Sequence, residues 1–448
     1  MHEETSPSIP LDRRAVDVLR AIEAAGHSAW FVGGCVRDAL LGRPAHDFDI
    51  ATSARWRETA AAAEACGFHV VETGAKHGSI AVVARGLCVE CTSYRVESGY
   101  GDARRPDSVT FVDDIELDLA RRDFRMNAVA FHPDRGLFDP FDGRSDIRNR
   151  TIRAVGCASE RFREDPLRIM RALRFSSCLG FRIDGPTDEA ARLCAEKIAL
   201  VAKERIFSET AALLCGADAH AVVARFPLVL EQAVPGTARL ADARDAHAPA
   251  RTADALRRVR ADPSVRFAAL FCGIAQADRE DGASIARARL RGLKAPRALV
   301  ERTAALAALC SRPIPEGRAR VRAFAATCGG DVELARDAFA LQRAFASTAA
   351  AEKAAEQAEA DLDELVRSDT PLRTRDLAIS GKDLVAAGMA PGPALGAMLD
   401  TLLDDAIAGR VRNERDPLLA RAASDRMPSS DRFSKKSSHA VDGAPKAR

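Results

Sequence analysis

Strand-forming and helix-forming patterns occupy different parts of this chain. Short apolar runs typical of β-strands recur up to about residue 150, as in "AWFV" at 29–32 and "SIAVV" at 79–83. Beyond that point strand patterns nearly vanish, and Ala, Leu and Arg repeat with helical periodicity. Because 448 residues exceed one compact domain, we expect an α/β head of about 150 residues followed by an all-helical remainder.

Two breaks are predicted within the helical remainder. The segments "RPIPEG" at 312–317 and "SDTPLRTRDL" at 368–377 contain proline, which a helix interior does not tolerate. Residues 426–448 lack apolar periodicity, so we expect a disordered tail there.

Composition argues against several classes of protein. Aromatic residues are scarce, with two Trp and two Tyr, which disfavours a stacking platform for single-stranded nucleic acid. The formal charge is +2, so a polyanionic partner would have to bind a local basic patch. No apolar run reaches membrane-spanning length, and the N-terminal "MHEETSPSIPLDRR" is polar. We therefore expect a soluble cytoplasmic protein with no membrane partner.

Cysteine usage indicates a reducing compartment. Eleven cysteines are scattered singly, an odd and unpatterned set that does not suggest a disulfide framework. Cys88 and Cys91 form one C-x-x-C, but no second pair and no nearby His pair follows. Because a structural zinc ion takes four ligands, we do not expect zinc there.

An acidic pair lies in a segment that is otherwise predicted to be a buried strand. In "DFDIAT" at 47–52 the side chains alternate between two faces, so Asp47 and Asp49 share one face. Phe48 and Ile50 then point into the core. Two carboxylates on one face repel unless a positive group lies between them. Mg²⁺ takes oxygen ligands of this kind, and two such ions promote in-line phosphoryl displacement. Two solvated acids on a strand edge are the alternative.

A glycine pair precedes the acids. Gly33-Gly34 ends the predicted strand "AWFV", where missing β-carbons let a polyphosphate approach the backbone. A helix is predicted to begin near Cys35, and its first-turn N–H groups would face that anion together with Arg37. A Gly-Gly pair alone is more often a turn than a binding site. The order of strand, Gly-Gly, Arg and acidic pair is the stronger signal.

The order of these features resembles the nucleotidyltransferase fold of DNA polymerase beta. The stretch "GGCVRDALLGRPAHDFDIATSA" is similar to the first signature of the class II group that contains CCA-adding tRNA nucleotidyltransferases and bacterial poly(A) polymerases. The group's further motifs follow in order: "ECTSYRVESGYGDARRPDSVTF", "DLARRDFRMNAVAF", "FDPFDGRSDIRNRTIRAVG", "REDPLRIMRALRFSSCLGF" and "AKERIFSE". Near the C-terminus, "LAISGKDLVAAGMAPGPALGAMLDTLL" and "GRVRNERDPLL" resemble the tail domain of the tRNA enzymes. The match covers residues 30 to about 210 and about 376 to 420.

The resemblance implies an α+β architecture. A DNA polymerase beta-like head, built from a mixed sheet with helices, would be followed by all-α neck, body and tail domains. The implied boundaries are 1–150 for the nucleotidyltransferase head, 151–215 for the neck with its base-selecting helix, 216–345 for a degenerate phosphohydrolase-like body, 346–425 for a tRNA-binding tail and 426–448 for the disordered tail.

The resemblance also implies roles for particular residues. Asp47 and Asp49 would hold the metal ions of a two-Mg²⁺ site, and Glu90 would be a further catalytic acid near them. An exposed strand residue without a catalytic role is the alternative for Glu90. The implied nucleotide-binding residues are Gly33, Gly34, Arg37 and Arg122 near the phosphates, Asp123 and Asn127 near the ribose, and Asp165, Arg168, Arg171 and Arg174 along the incoming nucleotide.

The charged residues of "EDPLRIMRALRF" also permit a physical argument about base selection. From Asp165 onward they recur every three residues, so neighbours lie about 60° apart on a helix. Asp165 and Arg168 form the natural pair for one base, because a carboxylate accepts from an amino group and a guanidinium donates to a ring nitrogen. Adenine and cytosine present that pattern, whereas guanine and uracil present the reverse and would leave both groups unpaired. A salt-bridged surface stripe is the alternative.

Two positions depart from the family pattern. Many relatives carry a metal-dependent phosphohydrolase module, and its His and Asp correspond to Cys272 and Gly273 in "RFAALFCGIAQ". We therefore expect no phosphohydrolase activity, and a helical body that serves as scaffold and RNA-facing surface. At the head-to-neck connection, Asp142-Gly143 replaces Gly-Gly, which bears on the hinge but touches no proposed ligand.

The function implied by the resemblance is CCA addition. Such an enzyme adds CMP, CMP and AMP from CTP and ATP to the 3′ end of tRNA without a nucleic-acid template. The tail-like segments and the short, weakly basic C-terminus favour this over a poly(A) polymerase, and "YRVESGYGDARRP" favours complete addition over CC-only or A-only addition. An inactive RNA-binding protein is the alternative from a different class. The sequence leaves open the oligomeric state and the choice of Mg²⁺ over Mn²⁺.

Overall fold

A computed structural model describes most of the chain. The described residues are 9, 11–45, 47–72, 74–98, 108–241, 247–278, 280–368 and 371–425. The chain divides into two compact units, of which the first ends at Ala308 and the second begins at Leu309. The predicted disordered tail at 426–448 lies outside the described residues, and so do residues 99–106, the second part of the stretch "YRVESGYGDARRP".

Strands are concentrated in the first 150 residues. The strands of the described residues are β1 (Ala29–Val32), β2 (Phe48–Thr52), β3 (His69–Val71), β4 (Ser79–Ala84), β5 (Leu87–Ser93), β6 (Arg95–Ser98), β7 (Ser108–Phe111), β8 (Ala130–His132), β9 (Gly136–Phe138), β10 (Thr151–Ile152) and β11 (Arg182–Ile183). Seven of them form one sheet in the order β3-β4-β5-β2-β1-β8-β9. Strand β2 pairs in parallel with β5 and antiparallel with β1, so the sheet is mixed, as predicted.

Helices dominate the rest of the chain. Those of the first 150 residues are α1 (Arg13–Ala24), α2 (Gly34–Leu40), α3 (Trp56–Ala65), α4 (Ile115–Ala120) and α5 (Gly143–Arg148). The later ones are α6 (Ala158–Glu164), α7 (Leu167–Leu179), α8 (Gly185–Leu193), α9 (Lys203–Cys215), α10 (Ala219–Arg225), α11 (Pro227–Leu230), α12 (Ala248–Arg258), α13 (Pro263–Asp278), α14 (Gly282–Gly292), α15 (Arg297–Cys310), α16 (Arg318–Thr327), α17 (Val332–Ala344), α18 (Ala349–Arg367), α19 (Gly381–Ala386), α20 (Pro393–Ile407) and α21 (Arg415–Ser424). Short 3₁₀ turns lie at Ala75–His77, Arg125–Asn127, Ala195–Leu200, Thr237–Ala241 and Thr374–Asp376. The predicted α+β class is confirmed.

Two strands of the sheet do not follow from the sequence pattern. Strands β8 and β9 are each three residues long, and β8 is buried at every position, so it shows no alternation of apolar and polar residues. The run "SIAVVARGLCVECTSYR", by contrast, forms two strands. Arg85 and Gly86 turn the chain between them with positive φ angles of 49° and 83°.

A hydrophobic cluster joins the sheet to the segment that follows α4. Val32 of β1 and Ala51 of β2 pack in it with Tyr94, Leu119 and Ala130, each of them at most 2% exposed. Burial of this much apolar surface fixes the chain between α4 and β8 against the sheet. Residues 121–127, which lie in that stretch, are therefore held at one position relative to β1 and β2.

The second unit has a hydrophobic cluster of its own. It is formed by Leu377, Ile379 and Leu384 with Leu402 of α20 and Leu418 of α21. This cluster contains the segments whose sequence resembles the tail domain of the tRNA enzymes. The four-domain division predicted from the sequence stays a prediction.

Within the described residues, no single helix is long and apolar enough to cross a membrane, although the bent pair of α9 and α10 reaches the required length and composition.

The Asp142-Gly143 turn shows why one glycine of the family's pair can be replaced and the other cannot. Asp142 has a left-handed backbone (φ 59°), which an L side chain adopts only with strain. A β-carbon at Gly143 would overlap the carbonyl oxygen of Arg125 and the side chain of Val129. Gly143 is therefore required by close packing against the 3₁₀ turn that ends at Asn127.

We expect Asp142→Gly to raise the free energy of unfolding by roughly 0.5–1 kcal/mol, because glycine removes the left-handed strain. Gly143→Ala should lower it by about 1–3 kcal/mol through overpacking. Urea denaturation measures both. Asp142→Ala is the control, since it removes the same carboxylate but keeps a β-carbon. A gain from Asp142→Ala equal to that from Asp142→Gly would contradict backbone strain as the cause.

Candidate active site

All the site residues predicted from the sequence line one cavity. Its volume is about 1020 Å³, and it lies between the face of the sheet and helix α7. The predicted residues on its wall are Gly33, Gly34, Arg37, Asp47, Asp49, Glu90, Arg122, Asp123, Asn127, Asp165, Arg168, Arg171 and Arg174. The structure thus brings the whole predicted set together, and the individual role of each residue stays a proposal.

Three carboxylates share the sheet face of this cavity. In the parallel pairing of β2 with β5, Asp49 is the direct partner of Glu90, and Asp47 immediately precedes β2. Phe48 and Ile50 are buried, as alternation predicts. Burial and the nearby charge of Glu90 raise the pKa of Asp49 to about 6, although Arg122 acts in the opposite direction. Repulsion and burial together therefore outweigh the attraction to Arg122.

The carboxylates fit a divalent cation by their chemistry. Carboxylate oxygens are the ligands that hard cations prefer, and a cation would relieve the repulsion that raises the Asp49 pKa. No group of three or more His, Cys, Asp or Glu side chains forms a ready ligand cluster within the described part of the chain. The fit thus rests on charge and donor type and on the position of these acids at one cavity.

Gly33 gives Arg122 room to approach the acids. Its φ of 76° favours glycine, and a β-carbon there would lie 3.3 Å from Nη1 of Arg122 and 3.4 Å from Oδ2 of Asp49. Arg122 donates from Nη2 to Oδ2 of the buried Asp118 at 3.1 Å. Its buried Nε finds no hydrogen-bond partner within the described residues. A phosphate oxygen would satisfy such a donor.

Asp123 connects the head to helix α7. Its Oδ2 accepts from Nε of Arg171 at 2.7 Å, and its Oδ1 accepts from the Phe124 amide at 2.8 Å and from Nδ2 of Asn127 at 3.1 Å. Nη1 of Arg37 donates to Oδ1 of Asn127 at 2.8 Å. Burial alone would raise the pKa of Asp123, but Arg171 and these hydrogen bonds hold it below its usual value.

Two arginines of α7, Arg171 and Arg174, are held by Glu209 of α9. Arg174 donates from Nε to Oε2 of Glu209 at 2.6 Å, and Nη1 of Arg171 lies 3.8 Å from Oε1. The guanidinium of Arg174 also lies over the ring of Phe175, at 4.1 Å from its centre, and that of Arg37 at 5.2 Å. These contacts reduce the rotational freedom of side chains that face the cavity.

The side chains of Asp165 and Arg168 do not bond to each other, although the Arg168 amide donates to the Asp165 carbonyl at 3.0 Å. Asp165 accepts from the Leu167 amide at 3.1 Å and from Nη2 of Arg205 at 3.0 Å. Arg168 donates to Oε2 of Glu164 at 2.7 Å. Each member of the proposed base-selecting pair is therefore oriented by a different residue, while both line the cavity.

Several residues of this site do not follow from the sequence patterns. Arg205 and Glu209 lie in "AKERIFSE", a stretch whose resemblance to the family was recognised although no residue in it was assigned a role. Ser79 and Thr92 also line the cavity. Thr92 lies two residues after Glu90 in β5, so strand alternation could have found it.

Known proteins with similar sequences decide the family. A family model of the poly A polymerase head domain matches residues 29–153, and one of tRNA nucleotidyltransferase domain 2 matches residues 283–422. A CCA-adding enzyme of Geobacillus stearothermophilus is 34% identical over 435 residues, which cover 92% of this chain and 96% of that protein. One of Lacticaseibacillus paracasei is 34% identical over 419 residues, or 91% and 95%. The chain belongs to the family of CCA-adding enzymes.

Solved structures of the CCA-adding family agree with this assignment. The CCA-adding enzyme of Bacillus stearothermophilus in complex with CTP has a TM-score of 0.72 at 30% identity, over 92% of this chain and 97% of that chain. That of Thermotoga maritima, complexed with tRNA, has a TM-score of 0.59 at 19% identity, over 94% and 97%, and shows the fold alone. The chain is thus a nucleotidyltransferase, as predicted, and enzymes of this kind generally use divalent metal ions.

The position of the missing phosphohydrolase ligands is occupied by helix packing. Cys272 is buried in α13, and a β-carbon at Gly273 would overlap the side chain of Thr252 in α12. A larger residue at Gly273 would separate the two helices. The lack of phosphohydrolase activity stays a prediction.

We expect Asp49→Asn to stabilise the metal-free protein near neutral pH by about 1–2 kcal/mol, because it removes a buried charge whose pKa is raised by burial and by Glu90. A carboxyl group whose pKa is raised in the folded state destabilises that state at pH values where it is ionised. The stability gained by Asp49→Asn should therefore shrink as the pH falls from about 6 toward 3.8, the pKa of the unfolded state. Urea titrations across that range measure the difference from wild type.

Asp47→Asn is the matched control, since Asp47 is an exposed carboxylate at the same cavity. Its effect should stay within about 0.5 kcal/mol. If Asp49→Asn proved less stable than wild type near neutral pH, attraction to Arg122 would outweigh the repulsion, and our account of the acidic face would be wrong.

Proposed function

We propose that this member of the CCA-adding family adds CMP, CMP and AMP, in that order, to the 3′ end of tRNA. CTP and ATP are the donors, Mg²⁺ is the metal, and no nucleic-acid template is needed. The observation that carries the proposal is the single cavity, which holds the acidic face of the sheet, the arginines near Gly33 and the pair Asp165 and Arg168. That this protein is located in the cytoplasm stays a prediction.

The reaction is a nucleotidyl transfer without a covalent enzyme intermediate. The 3′-hydroxyl of the RNA attacks the α-phosphorus of the nucleoside triphosphate, a new phosphodiester forms, and pyrophosphate leaves. Mg²⁺ held by Asp47 and Asp49 would lower the pKa of the attacking hydroxyl and stabilise the departing oxygen. Arg122, with its unpartnered Nε, would bind the triphosphate close to Gly33.

The ribose and the base contact different parts of the wall. Asn127 and Asp123 are fixed by Arg37 and Arg171, so their polar atoms present one arrangement to the sugar of the incoming nucleotide. Asp165 would accept from the amino group of cytosine or adenine, and Arg168 would donate to the adjacent ring nitrogen. Guanine and uracil would face Asp165 with an acceptor and Arg168 with a donor, so neither base would form these two hydrogen bonds.

End-extension of a tRNA transcript that lacks its 3′-CCA tests the proposal. With Mg²⁺ and both nucleotides we expect growth by three residues, and with CTP alone growth by two. A long ladder with ATP alone would indicate a poly(A) polymerase. Extension only after CC is present would indicate an A-adding enzyme, and arrest after CC with both nucleotides a CC-adding one. No extension by the folded protein would contradict the catalytic assignment and favour an RNA-binding protein.

We expect Arg205→Met to weaken the selection of CTP over UTP. The substitution removes the hydrogen bond that holds Oδ2 of Asp165, so kcat/KM for CTP should fall about 10-fold or more, whereas the slow use of UTP should fall less. Steady-state extension with each nucleotide measures the ratio.

Arg163→Met is the matched control for that experiment. Arg163 is an exposed arginine two residues before Asp165 and does not line the cavity. The control should keep the CTP preference of the wild type. An unchanged preference in Arg205→Met would show that Arg205 does not act through Asp165.

A further inference from the structure

Two hydroxyl groups on the acidic face have no part in the proposed binding of the incoming nucleotide. Ser79 lies in β4 and Thr92 in β5, and they are direct partners in the antiparallel pairing of these strands. Oγ of Ser79 and Oγ1 of Thr92 lie 2.8 Å apart and form a hydrogen bond. Both residues are part of the cavity wall.

The pairing of the strands places these hydroxyls on the same face as the carboxylates. Asp49 and Glu90 are partners in the pairing of β2 with β5, so their side chains share a face. Thr92 lies two residues beyond Glu90 in β5, and the residue of β4 that pairs with it is Ser79. Ser79 and Thr92 therefore lie on the β5 and β4 side of Asp49, displaced along the strands by two residues from Glu90, and Gly33 lies on the β1 side of Asp49.

The groups suited to the triphosphate lie on the opposite side of Asp49. Gly33 and Arg122 are adjacent to Asp49 on the β1 side. Arg37, in the helix that follows β1, is bonded to Asn127, in the turn that precedes β8. In the sheet order, β1 and β8 follow β2 on one side, whereas β5 and β4 follow it on the other. Phosphate-binding groups and the hydroxyl pair therefore flank the acids from opposite sides.

In-line displacement then determines which reactant approaches the hydroxyl pair. The attacking oxygen and the departing pyrophosphate lie on opposite sides of the α-phosphorus. If the pyrophosphate lies at Gly33 and Arg122, the attacking 3′-hydroxyl approaches from the side of β5 and β4. The sugar that carries this hydroxyl is the terminal ribose of the acceptor RNA.

The chemistry of the pair suits a ribose hydroxyl. One proton joins the two oxygens, so the pair retains one O–H donor and several acceptor lone pairs. A 2′-hydroxyl is likewise both donor and acceptor, and it distinguishes RNA from DNA at a contact site. We propose that Ser79 and Thr92 bind the 2′-hydroxyl of the acceptor's terminal nucleotide and thereby position the neighbouring 3′-hydroxyl at Asp49 and Glu90. This inference rests on the proposed nucleotidyl transfer to RNA.

The test compares two acceptors with two forms of the protein. The acceptors are tRNA transcripts lacking the 3′-CCA that end in a ribonucleotide or in a 2′-deoxynucleotide, and the readout is kcat/KM for CMP addition with CTP alone. For the wild type we expect the 2′-deoxy end to lower kcat/KM about 5- to 10-fold, the effect of one hydrogen bond. Ser79→Ala/Thr92→Val should show a similar loss with the ribose acceptor and little further loss with the 2′-deoxy acceptor.

Controls separate this role from a purely structural one. Thr92→Ser keeps both hydroxyls and should retain the ribose preference. Cys88→Ala alters the same face of β5 two residues before Glu90, outside the cavity wall, and should behave as wild type. The KM for CTP should stay within about 2-fold of wild type in every variant, because the hydroxyls do not contact the incoming nucleotide.

Two results would overturn the inference. One is that the 2′-deoxy end lowers kcat/KM by the same factor in the double variant as in the wild type. The other is an equal loss on both acceptors relative to wild type, which would indicate that the hydroxyl pair only stabilises the sheet. Failure of the wild type to extend either acceptor would instead refute the proposed function, and this inference with it.

Discussion

The ion pair between the buried Asp123 and the partly exposed Arg171 is the contact on which the site depends. Asp123 lies in the segment that packs on the sheet, and Arg171 lies in α7, so the pair joins the two walls of the cavity. Removing one partner of such a pair leaves an uncompensated buried charge, which typically costs about 3–5 kcal/mol. Asn127 donates to Asp123, Arg37 donates in turn to Asn127, and Glu209 lies 3.8 Å from Arg171. The arrangement of these side chains on the cavity wall thus depends on one carboxylate.

Charge is distributed unevenly around the cavity, and this uneven distribution lowers the stability of the folded protein. The acidic face raises the pKa of Asp49, whereas the arginines of the opposite wall are paired with carboxylates: Arg171 with Asp123, Arg174 with Glu209 and Arg205 with Asp165. Only the acidic face therefore carries a repulsion that its neighbours do not offset. Divalent cations bound there with a triphosphate would relieve this repulsion, which would favour binding. Such a site is typical of a protein that gives up some stability for function.

The sequence predicts well what depends on local order along the chain. Gly33, the acidic pair and the arginines of α7 lie in short motifs whose spacing fixes strand alternation or helical position, and the structure places all of them at one cavity. Strand β8 is different, because its three buried residues show no periodicity, and its place beside β1 depends on contacts about 100 residues apart.

Long-range partners also explain what the sequence analysis missed at the site. Asp165 and Arg168 were expected to act as a pair, yet Asp165 is held by Arg205, 40 residues later in the chain. Glu209 contacts Arg174 across 35 residues. No pattern in a single sequence indicates which charged residues of two packed helices will meet. The motif that contains both Arg205 and Glu209 was visible, but the function of its residues became apparent only from the contacts.

Competition between CTP and ATP for one site is the most direct test of this account. Equilibrium binding of a fluorescent CTP analogue, with Mg²⁺ and with unlabelled competitors, would measure it. If one cavity with one base-selecting pair binds both nucleotides, one CTP analogue binds per protein chain and ATP displaces it fully. GTP and UTP at the same concentration should displace little of the bound analogue. Two independent sites for CTP and ATP, or equal displacement by all four nucleotides, would contradict the assignment of this cavity as the nucleotide site.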